Sequence, residues 1–447
     1  MKSKLALLGG PKSVKSDVKD AFTWPIVNKE MENKVLEVLR AGKMSHLDVT
    51  REFEEGFAKW HKMKYGLGTN NGTSALHCAF FGAGIGKGDE IICPAITYWA
   101  SFLPVFSLGG TVVFADIEPD TLNIDPDDIE KRITKKTKAI LVVHYCARPA
   151  DMTRIMKIAR KHNLKVIEDV SHAHGALYKG KMVGTFGDVS AYSCMSGKSF
   201  AIGEAGMLLT NNKEIYERAI VFGQYARHGD LTIPELKAGA GLPWGGYKYR
   251  AHQLSSAVGV VQLKKYPKEM AEIDKAMNYF WDLLEGLPGI KSLRPKKGSG
   301  STMGGWYVPK GLYFKEQLGG LSITRFAQAV TAEGFAMYTG ANKGGYNHPL
   351  LNTVDVYNDG KPTRIANSNW DVRTNKGSLP VSEGIQSKVF GAPYFKKYYP
   401  RVIREHADAV RKVIENYKEL LAGDKGDPKD MGGWGLSGIK APAKKKK

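Results

Sequence analysis

Residues 165–210 read KVIEDVSHAHGALYKGKMVGTFGDVSAYSCMSGKSFAIGEAGMLLT, and this passage decides the fold. KVIED (165–169) is a β-prone run ending on two acids, and two more strand candidates follow quickly, DVSAYS (188–193) and GMLLT (206–210). Upstream, EIIC (90–93), TVVFAD (111–116) and AILVVH (139–144) alternate with helical patterns. Those patterns are TYWASFLPVFSLG (97–109), a helix opened by Asp125 and Pro126, and ADMTRIMKIARKHN, which places Met152, Ile155, Met156 and Ala159 on one face. Continuous apolar strands separated by amphipathic helices specify a parallel or mixed sheet covered on both faces. The rhythm predicts an N-terminal arm over 1–25 and one large α/β domain over 26–265.

Beyond residue 265 the texture changes. A helix is expected near 267–286, then a Gly/Lys-rich loop, the run WYVPKGLYF, a helix after Gly320 and a long irregular stretch from 340 to 385. A final helix places Ile403, Ala407, Val410, Ile414, Tyr417 and Leu421 at helical spacing, with Gly423 as a candidate cap. Residues 266–423 therefore read as a smaller α+β domain. Residues 424–447 show no periodicity and read as a flexible basic tail.

The 447 residues carry 65 Lys plus Arg against 45 Asp plus Glu, a net charge of +20. Such a field attracts polyanions regardless of fold. The segment 424–447 accounts for +4 of it, and no helix-turn-helix, zinc or RNA-binding signature accompanies the +16 of the body. No nucleic-acid partner is therefore expected. No stretch approaches the ~18 apolar residues of a membrane span, and the opening MKSKLALLGG lacks the apolar core of a signal peptide. Cys78, Cys93, Cys146 and Cys194 are widely spaced with no CxxC pair, so buried thiols are expected rather than disulfides or zinc. A cytoplasmic protein is the expectation.

Gly-rich spots are candidate phosphate loops. MSGKS (195–199) has Tyr192 where a P-loop needs its first Gly, and GAGIGKG (82–88) has Lys87 where a dinucleotide fingerprint needs its last. GLGTNNG (66–72) has GxGxxxG spacing, but only a weak strand precedes it and no clear βαβ unit starts there. Asn70-Asn71-Gly72-Thr73-Ser74-Ala75-Leu76-His77 survives, because a Gly turn with hydroxyls at a helix N-terminus is a ready anion site. The plain alternative is that Thr73 or Ser74 merely caps the helix.

Three features gain meaning together: Asp169 at a strand end, Ser193 at another, and Lys198 five residues on in a small-residue loop. Singly, Lys198 reads as a solvated turn residue, and His172 and His174 as an accident of spacing or a weak metal pair. Jointly they suit pyridoxal phosphate (PLP), which needs a lysine for its Schiff base, a carboxylate at its pyridine nitrogen and a phosphate cradle.

At these residues the chain resembles the PLP-dependent sugar aminotransferases of fold type I, the DegT/StrS-type family acting on keto-sugars and keto-cyclitols. The resemblance runs to about residue 421, through GTSALHCAF, GKGDEIICPAITYWAS, VFADIEPDTLNID, VHYCARPADM, the passage 165–210 and SLPVSE. The S-C-x-x-G-K wording (193–198) is similar to that of the scyllo-inosose aminotransferases, whereas nucleotide-sugar enzymes usually carry Phe after the serine. The fold implied is an aspartate aminotransferase-like large domain with a mixed, mostly parallel sheet, plus a smaller α+β domain.

The resemblance also implies roles. Lys198 would form the Schiff base and shuttle a proton, and Asp169 would pair with the pyridinium nitrogen. His172 would sit against the ring hydroxyl and Tyr98 would stack on the ring. Gly72, Thr73, Ser74 and Ser193 would cradle the phosphate. Tyr346, Asn347 and His348, in an Asn-His-Pro turn, and Arg250 are candidate substrate contacts. The implied protein is a homodimer with shared active sites. It would pass an amino group from L-glutamate or L-glutamine to a cyclic ketone by a ping-pong mechanism.

Three positions depart from the family pattern. Lys248 replaces the asparagine of Gly-x-Asn-x-Arg that reaches the neighbouring subunit's phosphate, and would serve that phosphate as a point charge. Ala147 stands where HxxGxP has Gly, and Ala205 interrupts GEGG. A sugar dehydratase on the same fold is the nearest alternative, and its branch carries histidine at the position of Lys198. A regulatory or nucleic-acid-binding protein that kept the fold is the more distant one.

Overall fold

The structure, a computed structural model, describes residues 4–239 and 244–433. Its centre is a seven-stranded sheet: β1 (Tyr65–Thr69), β2 (Glu90–Pro94), β3 (Thr111–Ala115), β4 (Thr137–Val143), β5 (Lys165–Asp169), β6 (Val189–Ser193) and β7 (Gly206–Thr210). The spatial order is β1-β7-β6-β5-β4-β2-β3. Strands β2 to β6 run parallel, and β7 is antiparallel to both neighbours. The six expected strands are all present. The weak run before Asn70 is the seventh, legible only through its partner, since Gly66 and Gly68 give β1 little β-propensity of its own.

Strands β2, β3 and β7 are buried at every position, as a sheet covered on both faces requires. Around it pack α1 (Lys29–Arg40), α2 (Asp48–His61), α3 (Gly72–Gly82), α4 (Met152–Lys161) and α5 (Lys213–Gly223). In α4, Met152, Ile155 and Ala159 are buried as their spacing predicts, and Asp125 caps the short helix opened by Pro126. The run 97–109, expected as one helix, is instead a 3-10 turn (Trp99–Ser101) and a short helix (Leu103–Ser107). Phe102, non-helical and 1% exposed, divides them and packs edge-on against Phe114.

Helix α6 (Gln253–Leu283) is longer than expected, and residue 265 falls in its middle. One continuous element thus joins the large sheet to a three-stranded antiparallel sheet of β8 (Ile290–Ser292), β9 (Lys310–Tyr313) and β10 (Val389–Gly391). Helices α7 (Ile323–Ala332) and α8 (Pro400–Glu415) complete this region, with Ile403, Ala407, Val410 and Ile414 of α8 buried. The helical spacing stops there: Leu421 is exposed, in a separate short helix.

The N-terminal arm is fastened to this smaller region. Glu333, fully buried at the end of α7, accepts hydrogen bonds from the Ala6 and Ser13 amides, the Ser13 hydroxyl and Lys412. Residues 424–433, expected to be flexible, are held in place as well. Asp424 accepts from the Ser322 amide and hydroxyl, and Asp427 from those of Thr324. These aspartates cap a helix start, a charge-assisted contact invisible to periodicity. The lysine-rich residues 434–447 lie outside the described residues. Among the described residues no helix is long and apolar enough to cross a membrane.

Candidate active site

Parallel β4, β5 and β6 bring their carboxyl ends to one edge of the sheet, where open α/β folds bind ligands. A cavity of about 1030 Å³ opens there, and Lys198, Asp169, His172, Tyr98, Ser193, Gly72 and Thr73 all line it. Residues separated by up to 126 positions in sequence thus meet around one space.

Asp169 ends β5 and is buried. Its Oδ2 accepts a hydrogen bond from Ser101 Oγ (2.7 Å) and its Oδ1 from the Ser171 amide (3.0 Å). Thr97 Oγ1 lies 2.9 Å from Ser101 Oγ and extends the network. The preceding acid points the other way, as strand alternation demands. Glu168 accepts from the amides of Gly184, Phe186 and Gly187 and pairs with His144 Nε2 at 3.0 Å. It is fully buried, and these partners hold its carboxyl below the usual range despite desolvation. Adjacent carboxylates therefore do different work. Glu168 fastens the GTFGD loop to the sheet, and Asp169 presents charge to the cavity.

Lys198 is 8% exposed, not the solvated turn residue that its neighbours alone would suggest. Burial lowers its ammonium to about 8, with Asp169 opposing the shift. The ammonium lies 4.2 Å from the centroid of the Tyr307 ring. Its backbone carbonyl accepts from Trp24 Nε1 (2.8 Å), so the N-terminal arm secures the loop that carries it.

His172 and His174 diverge. The Cys146 amide donates to His172 Nδ1 (3.3 Å), which leaves Nε2 of the neutral ring to carry the proton. Burial, aided by the nearby Lys198 charge, holds His172 well below the usual histidine range. His174 instead packs among Tyr192 and Phe200 in the aromatic core, where burial lowers it to about 3. The two share no metal-binding face. All four cysteines are free and buried.

The anion-site geometry differs from the expectation in one detail. Neither Thr73 nor Ser74 caps α3; Asn71 does, its Oδ1 accepting from the Ser74 amide at 2.9 Å. The Gly72 and Thr73 amides remain at the helix N-terminus, beside the cavity. Gly72 is required here, since a Cβ would fall 2.6 Å from Ser193 Cβ. Ser74 is buried in the same turn and does not line the cavity.

Other expected contacts stand apart from this cavity within one chain. Lys248 is exposed, and Arg250 forms a bridge with Thr69. The Asn70 amide donates to the Tyr249 carbonyl (2.8 Å), which sets their segment beside the loop leading to α3. Tyr346 is buried and its carbonyl accepts from Arg364, while Asn347 lies in a 3-10 turn. His348 Nδ1 accepts from the Leu350 amide and caps a short helix.

The departures are locally legible. Ala147 has φ +67 and Cys146 φ +50, a left-handed turn that glycine would adopt without penalty. Ala205 carries no such strain; its carbonyl accepts from the Cys194 amide, and its methyl packs in the core.

Sequence reasoning missed the other wall: Tyr145, Tyr307, Lys310, Tyr338 and the Gly432–Gly433 pair, beside which Asn342 enters from the irregular stretch 340–385. Tyr307 sits between Trp306 (φ +54) and Val308 (φ +51), two left-handed non-glycine residues. Backbone strain of this kind costs of order 1–3 kcal/mol per residue and concentrates at functional sites. Only a structure reveals it.

Comparison with known proteins agrees with this geometry. Residues 25–330 match the family described as the DegT/DnrJ/EryC1/StrS aminotransferase family. The chain belongs to that family. It is 41% identical over 217 residues to the GDP-perosamine synthase of Escherichia coli O157:H7, covering 48% of this chain and 57% of that protein. It is 31% identical over 321 residues to the L-glutamine:2-deoxy-scyllo-inosose aminotransferase of Streptomyces kanamyceticus, covering 69% and 74%. An aminotransferase structure from Psychrobacter cryohalolentis superposes with TM-score 0.75 at 27% identity, covering 88% of this chain and 98% of that one.

The architecture is accordingly PLP fold type I, and membership of this aminotransferase family implies PLP as cofactor. The residues fit that group: a buried amine of depressed basicity, a hydrogen-bonded carboxylate and a helix N-terminus that a single Cβ would obstruct share one cavity.

Proposed function

We propose that this protein transfers an amino group from L-glutamate or L-glutamine to a cyclic ketone, either a keto-sugar, free or nucleotide-linked, or an inosose. The observation that carries the reading is the Lys198 amine, buried and lowered to about 8, in one cavity with the Asp169 carboxylate. An amine so depressed is partly neutral near pH 8 and can both attack a carbonyl and move a proton. Bound PLP would supply the electron sink at the amine-bearing carbon. Asp169 would serve the ring nitrogen as counter-ion, and Ser101 and Ser171 fix its orientation. His172 offers an Nε2–H donor, Tyr98 an aromatic face, and Gly72, Thr73 and Ser193 the anion cradle, with Ser74 supporting the turn.

Donor and acceptor would use the same cavity in turn, giving ping-pong kinetics. We further propose a homodimer in which Lys248 and Arg250 serve the partner's site, since both lie beside the α3 loop but outside their own cavity.

The test is direct. PLP-loaded protein should show a visible band that bleaches with glutamate or glutamine and returns with a cyclic ketone, with amine appearing stoichiometrically in the product. Lys198→Ala should abolish both the bleaching and the turnover. A dehydratase would transfer no amine to the product, and failure to take up PLP would remove the proposal altogether.

A further inference from the structure

The C-terminal segment reaches the cavity. After α8 the chain turns back across the smaller region, clasped first by Asp424 on Ser322 and Asp427 on Thr324. Asp430 then pairs with Lys343. Finally the backbone joins the wall of the cavity. The Lys343 amide donates to the Gly433 carbonyl (2.8 Å), the Gly433 amide to the Ala341 carbonyl (3.3 Å), and Asn342 and Gly433 form a parallel bridge.

The fit is close at Gly432. It has φ +81, and a Cβ there would lie 2.3 Å from Gln386 Oε1 and 2.9 Å from the Ala341 carbonyl oxygen. Gln386 cannot yield freely, because its Oε1 accepts from the Ala341 amide (2.8 Å) and its Nε2 donates to the Asn342 carbonyl (2.9 Å). Asn342 connects the segment to the reacting end. Tyr145 Oη donates to Asn342 Oδ1 (2.6 Å), and the Tyr145 ring centroid lies 5.6 Å from that of His172.

We propose that residues 424–433 form a specificity strap. Gly432 and Gly433, backed by Asn342, are a wall of the site for the ketone acceptor and limit the size of ring that reaches Lys198. This rests on the aminotransferase reading above. An amino-acid donor is a narrow, flexible chain, whereas a ring ketone is rigid and broader and would meet the wall. The hydroxyls of Tyr307 and Tyr338, which line the same cavity, match a ring bearing several hydroxyl groups. Two adjacent glycines leave only backbone at this wall.

Releasing the clasp tests the strap. In Asp424→Asn/Asp427→Asn, neither altered residue lines the cavity. For this variant the donor half-reaction should stay within twofold of the unaltered protein, while the KM for the cyclic ketone rises about tenfold. Selectivity should shift toward bulkier rings. Gly432→Ala, whose Cβ would collide with Gln386 and the Ala341 carbonyl, should push the strap off this wall and shift selectivity in the same direction as the double variant. Unchanged acceptor KM and selectivity would overturn the proposal, as would equal losses in both half-reactions.

A second measurement does not depend on turnover. In cofactor-free protein, hydrogen exchange at the Lys343 and Gly433 amides should accelerate at least tenfold in the double variant. Unchanged exchange there would overturn the strap. If the unaltered protein transfers no amine to any ketone, the aminotransferase reading fails as well. Accelerated exchange alone would then show a clasp without an acceptor site, and would also overturn the proposal.

Discussion

The two sides of the cavity are built on different principles. The floor is made by the ends of β5 and β6 and the start of α3, where Asp169, Ser193 and Gly72 are set by hydrogen-bonded register and helix geometry. The facing wall gathers Tyr307, Lys310, Tyr338–Asn342 and Gly432–Gly433 from loops and strand ends spread over more than a hundred residues. The floor fixes the chemistry, which one cofactor dictates. The wall sets the space left for the substrate, which can change loop by loop while the floor stays constant.

Breaking the floor should therefore do the largest damage, and to both half-reactions alike. Asp169→Asn removes the charge while keeping the shape, and turnover should fall by about a hundredfold or more with donor and acceptor equally affected. A loss confined to the acceptor would contradict the division between floor and wall.

A smaller effect is expected from Glu168, which supports the floor without touching the cavity. Glu168→Gln replaces one acceptor oxygen with a donor facing amide N–H groups, at a cost of about 1–3 kcal/mol in unfolding free energy. Denaturant unfolding measures it. Because the folded carboxyl is held below its ordinary range, Glu168 adds stability above the unfolded carboxylate pKa. That increment is lost as the pH falls through the folded value. The variant should lack this part of the acid dependence.

The smallest change is expected at Ala147. Ala147→Gly relieves φ +67 but loosens the unfolded chain, so the net effect should stay within about 1 kcal/mol of zero. A larger gain would mean that the strain at Cys146–Ala147 is costlier than the turn alone implies.

The same contrast explains what the sequence discloses. Strand runs and the Asp169–Ser193–Lys198 spacing are local patterns, and they locate the sheet, the floor and Lys198. Strand β1 is not, because its glycines carry no β-signal and its place depends on pairing with β7. The wall is illegible for a related reason: Tyr307 is set by backbone strain on both sides, and Gly432 by packing against Gln386. The Asn-His-Pro turn at 347–349 looked like a substrate contact because its chemistry suits one. In the fold, His348 caps a short helix and does not line the cavity of this chain. The tail misled in the opposite sense. Residues 424–433 carry no periodic signal, yet Asp424 and Asp427 hold them in place.

The central claim is that Lys198 is the amine that joins the cofactor, and the cavity offers a demanding control. Lys310 also lines it, is buried, and is lowered in basicity by desolvation, but its Nζ donates to the Gly340 carbonyl at 2.7 Å. Borohydride reduction of the PLP-loaded protein, followed by peptide mapping, fixes the attachment site covalently. The account predicts one pyridoxyl phosphate group per chain, on the peptide containing Lys198. Attachment at Lys310, or no attachment at all, would contradict it.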